Sequence, residues 1–109
     1  MSQYLFIESQ DPLEDRGACA YLETALDVRR ADEPVTVYLV ENGAHAARAG
    51  ARCEARDALL AAGASVRVDG FALEERGIRP ERLAPGIEVG SVEHIVDLLA
   101  DGATKAVWH

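Results

Sequence analysis

The spacing of apolar positions along the chain changes period several times, and each change predicts an element. Tyr4, Leu5, Phe6 and Ile7 form a short continuous apolar run, the pattern of a strand covered on both faces. Asp11 and Pro12 then offer an N-cap acceptor and a proline suited to the first helical position, which predicts a helix from there to about Arg30. Ala18, Leu22, Ala25 and Leu26 recur along it at helical spacing. Glu33 and Pro34 end that helix. Residues 35–40 (Val-Thr-Val-Tyr-Leu-Val) are the plainest strand in the chain, and Glu41, Asn42 and Gly43 break it.

A second helix is predicted over residues 46–62, with Ala51, Ala55, Ala58, Leu59 and Ala62 on one face and Gly63 as its stop. Residues 65–68 alternate as a third strand nearer a sheet edge, and a short helix over 71–75 ends at Gly77. Pro80 and Pro85 break residues 78–90 into an irregular stretch with a brief strand at 87–89. Ser91 caps a final helix whose buried stripe reads as Val92, Ile95, Val96 and Leu99. Gly102 stops it, and residues 105–108 form the last strand. Strands that alternate with helices predict an α/β fold: three α/β/α layers around a mostly parallel sheet of four to five strands.

Size sets the next bound. With 109 residues the chain reads as one domain, 1–109. Aromatic residues are only 6% of a chain that is 49% hydrophobic, so its core is built from small aliphatic side chains. So short and alanine-rich a chain is expected to bury a further face against copies of itself. The net charge of −8 disfavours nucleic acid and anionic membranes as partners. No apolar run approaches the length of a membrane span, and the first residues lack the basic start of a signal peptide. Cys19 and Cys53 are then expected to be reduced thiols in a cytoplasmic protein.

Chemistry is sparse. Ligands of doubly wound sheets sit outside the carboxyl ends of the strands, which singles out residues 8–10, 41–45, 69–70 and 108–109. Asn42 and Gly43 tolerate positive φ and would leave N–H groups facing a ligand, with His45 as a proton shuttle; a plain turn with a surface histidine is the preferred alternative. Asp69 follows a buried strand and reads either as a general base or, in preference, as the cap of the next helix, with Gly70 relieving the turn. Arg48, Arg52 and Arg56 recur every fourth residue, the spacing of one helix side, and read as a solvated mixed-charge face rather than an anion site. Cys53 has arginines nearby in sequence, yet buried and inert is the expected state of both thiols. Neither a zinc-type Cys/His cluster nor a glycine-rich nucleotide loop is present, so no metal and no cofactor are expected.

The strand at residues 4–7, the strand and loop at 37–43, the segment Leu73, Glu74, Glu75, Arg76, Gly77, Ile78, and the ending from Ile95 through Trp108 together resemble the DsrE/DsrF/TusD-like family of small sulfur-relay proteins. The resemblance spans nearly the whole length. It implies a compact, flavodoxin-related three-layer fold that assembles into trimers or hexamers of itself or with related subunits. The expected ligand-binding cleft is at Ser9, Asn42, Gly43, Asp69, Gly70 and Arg76. Active members carry persulfide sulfur on a cysteine in the loop before the Arg-Gly element; here that position is Asp69, and a second one used by some members is Ala72. A carboxylate cannot hold and pass on sulfane sulfur as a thiolate does. The expectation is therefore a non-catalytic oligomeric subunit or binding protein linked to sulfur metabolism. The alternatives are a sulfurtransferase using Cys53 or an acid/base enzyme using Asp69 with His45.

Overall fold

The computed structural model describes residues 2–109. In chain order the elements are β1 (Gln3–Glu8), α1 (Arg16–Arg30), β2 (Val35–Leu39), α2 (Glu54–Ala61), β3 (Ser65–Asp69), α3 (Gly70–Glu75), β4 (Glu88–Gly90), α4 (Val92–Ala100) and β5 (Thr104–Trp108). Short 3-10 turns occupy Glu41–Ala47 and Pro80–Arg82. The five strands form one sheet in the order β4-β3-β2-β1-β5, parallel at every pairing, as the α/β reading predicts.

Topology decides how the two faces of this sheet are covered. From β1 to β4 the chain steps in one direction, and right-handed crossovers place the connecting helices on one face. The last connection returns across the sheet to the far side of β1, so its helix, α4, lies on the other face. Burial follows this division. Phe6, Val37, Leu39 and Val66 join Leu22, Leu26 and Leu59 in the larger core. Leu5, Ile7, Tyr38 and Val40 meet only Ile95 and Leu98 of α4 in the smaller one.

One helix cannot cover five strands, and this corrects the reading of α4. Of the four residues predicted as its buried stripe only Ile95 is buried; Val92 and Val96 are each 55% exposed and Leu99 is 48% exposed. The amphipathic pattern is real, but half of the apolar face has no protein to meet.

Two boundaries also differ from the sequence reading. The first helix starts at Arg16, capped by Asp15, whose carboxylate accepts from the N–H groups of Gly17 and Ala18. Asp11 instead folds a turn on itself: its side chain accepts from Leu13 N–H and its carbonyl from Glu14 and Asp15.

The second helix begins only at Glu54, with Cys53 as its N-cap residue. Its predicted first half is unwound because tertiary partners take the backbone groups that a helix would use. Arg56 donates to the carbonyls of Ala46 (2.7 Å) and Arg48 (2.9 Å). Ala49 N–H donates to Arg82 O and Ala84 N–H to Ala47 O, around an antiparallel bridge between Arg48 and Leu83. Gly50, unfavourable in a helix interior, lowers the barrier to this choice. Consequently Arg48, Arg52 and Arg56 do not share a helix face, and Ala51 lies outside the helix. Arg56 is buried, paired to Asp57 at 2.8 Å.

Candidate functional site

Asp69 ends β3 and caps α3: its Oδ2 accepts from Ala72 N–H at 3.3 Å, and the residue is 7% exposed. Gly70 opens the helix, and Gly77 closes it with φ of +64°, a conformation that only glycine adopts freely. Arg76 folds back over the helix end, donating to Ala72 O at 3.2 Å and to Asn42 Oδ1 at 2.9 Å. That second bond ties α3 to the turn after β2. Beside Asp69 and Arg76 opens a cavity of about 610 Å³ whose walls are largely apolar: Phe71 from α3, Val92, Val96 and Leu99 from α4, and Trp108 from β5. Phe71 and Trp108 are 63% and 64% exposed.

The turn after β2 serves close packing. Positive φ falls on Glu41 (48°), not on Asn42 or Gly43. Gly43 N–H already donates to Val40 O at 2.8 Å, so it is not free for a ligand. Gly43 is buried because the chain crosses the end of β1 there, where a Cβ would lie 2.3 Å from Glu8 O. His45 is half-buried on the far side of this turn and lines a different cavity from Asp69, so the two are not brought together as an acid/base pair.

Ser9 is also turned away from the cleft. The sheet order reverses between β1 and β5, and the crevice outside their carboxyl ends holds His109. Ser9 donates to His109 O through its hydroxyl (2.8 Å) and its N–H (2.9 Å). The fully buried Glu8 carboxylate meets His109 Nδ1 at 2.8 Å from both oxygens. Burial pushes the Glu8 pKa up and the imidazole beside it pulls the other way, with burial prevailing.

The two thiols, distant in sequence, line one hollow of about 250 Å³ together with Glu23 and Arg52. Cys53 is buried and Cys19 donates to Pro12 O at 2.8 Å. Burial raises both pKa values, and for Cys19 the carboxylates of Glu23, Asp15 and Asp11 add to the effect. As pH rises, the unfolded thiol ionises first, so the folded state holds its protons longer and loses stability in alkali. Near pH 8, iodoacetamide is expected to label the folded protein about tenfold more slowly than the urea-unfolded chain. Intact-mass spectrometry reads this directly, and equal rates would contradict it.

Among the described residues no group of three or more His, Cys, Asp or Glu side chains is placed to hold a metal ion, and no helix is long and apolar enough to cross a membrane. The residues that sequence reasoning missed are Phe71 and the exposed part of α4; Trp108 belongs to the strand end that it singled out. Only the topology, one helix for a whole sheet face, signals that they form one patch.

No family model matches this chain, and no curated protein matches it. Among solved structures, the ychN protein from E. coli is similar with a TM-score of 0.90 and 15% identity over 100% of both chains. MTH1491 from Methanobacterium thermoautotrophicum, described as a protein of unknown function, is similar with a TM-score of 0.85 and 18% identity, again over 100% of both chains. At these identities the likeness is one of fold, a small α/β protein of the same architecture.

Proposed function

We propose that this chain is a non-catalytic, DsrE-like subunit that acts as a single domain within a cytoplasmic homo-oligomer and belongs to sulfur metabolism. The observation that carries this reading is the state of Asp69. At the position where the resemblance expects a sulfur-carrying thiol, the chain has a carboxylate engaged in capping α3, set against a cleft that is mostly apolar. Such a cleft suits binding. The sulfur-carrying alternative finds little support, since both thiols lie in another hollow with raised pKa values.

The apolar rim of the cleft supports the oligomer. Phe71, Val92, Val96, Leu99 and Trp108 converge on one cavity, and an exposed tryptophan among exposed aliphatic residues marks an association surface. A second copy is the occupant we assign, because α4 leaves the sheet face half covered in every copy alike. Light scattering at micromolar concentration is expected to show a closed assembly such as a trimer or hexamer. The pair Val96→Glu and Trp108→Glu is expected to give a folded monomer. A monomeric unmodified chain would refute the oligomer, and a persulfide on either thiol after treatment with a sulfur donor would refute the non-catalytic assignment.

A further inference from the structure

The chain is acidic overall, yet four of its 11 basic side chains line one cavity of about 360 Å³: Arg48, Arg76, Arg79 and Arg82, with His45 beside them. No carboxylate lines it; Gly77 and Ile78 complete the wall. The cluster is assembled from two segments that the sequence leaves far apart. The Arg48–Leu83 bridge, with its bonds from Ala49 to Arg82 O (2.7 Å) and from Ala84 to Ala47 O (2.9 Å), zips the loop after β2 against the loop after α3. Asn42 holds Arg76 from the same side.

These guanidiniums are largely unopposed. Arg48, Arg79 and Arg82 form no ion pair among the described residues, and the carboxylate partner of Arg76 is Glu75 at 3.9 Å. Arg48 donates through Nε only to the His45 carbonyl. Four permanently charged side chains around one hollow concentrate positive potential there, and planar guanidinium forks match tetrahedral oxyanions by paired hydrogen bonds.

We infer that this cavity binds a small molecule through a multiply charged tetrahedral oxyanion, a phosphate, diphosphate or sulfate group. The global charge of −8 argues for a small ligand over a long polyanion: charge beyond a Debye length of roughly 10 Å repels an extended chain but is screened from a ligand held in the cavity. Asp11 and Glu14 line the adjoining hollow that shares His45 and Arg48, so the anion is drawn toward Arg76, Arg79 and Arg82. The site shares Arg76 with the apolar cleft, but its other lining residues are different.

The test is calorimetric titration of the full chain with inorganic pyrophosphate, phosphate and sulfate in separate arms at constant ionic strength, with chloride as the control. Saturable binding of at least one of the three is expected, and the strongest arm identifies the oxyanion. The Arg79→Ala/Arg82→Ala double variant, whose altered side chains are exposed, is expected to weaken binding by about 100-fold, roughly tenfold for each charged hydrogen-bonding partner lost. Arg16→Ala, outside the cavity, is expected to leave it unchanged. No saturable binding in any arm, or equal binding by the double variant, would each overturn the assignment.

Discussion

Alanine at position 43 is expected to cost the fold about 3 kcal/mol and lower the melting temperature by roughly 10 °C. Gly43 has an unremarkable φ, so the effect is steric throughout. The added methyl would stand 2.3 Å from Glu8 O and 3.2 Å from its carbonyl carbon. That oxygen cannot retreat, because it also accepts from Val40 N–H at 3.0 Å and belongs to a fully buried residue at the end of a strand paired on both sides. Relief requires the whole turn after β2 to lift, which also withdraws Asn42 from Arg76. Gly50→Ala is the matched control: its Cβ would meet nothing within 4 Å, and a change within about 0.5 kcal/mol is expected. Thermal unfolding followed by circular dichroism compares the two; similar melting temperatures would mean that the turn yields cheaply.

Arg56→Met is the second large effect, again a loss of about 3 kcal/mol, read from the urea midpoint at unchanged slope. Methionine retains the apolar packing of the stem but removes the donors to Ala46 O and Arg48 O. Leaving a buried carbonyl without a partner costs about 1–3 kcal/mol, whereas Asp57, exposed on its own side, returns to water at little cost. The damage should be local first. Amide exchange at Ala49 and Ala84, whose bonds join the two loops, is expected to accelerate before that of β1 and β2. Exchange rates unchanged at both positions would show that Arg56 does not hold the loop.

Arg56 also shows where the sequence stops being informative. The run from residue 46 to 62 carries alanines, leucines and periodic arginines, and local propensity alone favours one long helix. The competing partners, the carbonyl-seeking guanidinium eight and ten residues on and the loop around Leu83, act across space and leave no periodic trace. The same holds for the arginine cavity. By spacing Arg48 belongs with Arg52 and Arg56, but it lines a cavity with Arg76, Arg79 and Arg82 instead. In contrast, the capping role preferred for Asp69 needs only its own sequence neighbours, and the hydrogen bond to Ala72 N–H is in place. Asp11 failed as a helix cap for a local reason too: Asp15, four residues later, is an equal acceptor placed one turn nearer the apolar stripe that begins at Ala18.

What the amino-acid order alone determined was the set of elements and their type. Apolar runs and helical spacings report how each segment prefers to fold by itself, and alternating strands and helices admit few arrangements other than a parallel sheet. The tertiary structure decided which apolar residues are buried and which charges meet. Val92, Val96 and Leu99 have the same periodicity whether or not a sheet lies beneath them; only the return of the chain over β1 leaves them open beside Trp108. Periodicity records the direction in which a side chain points, while burial depends on what else occupies that direction, and this is settled by contacts between segments far apart in the chain.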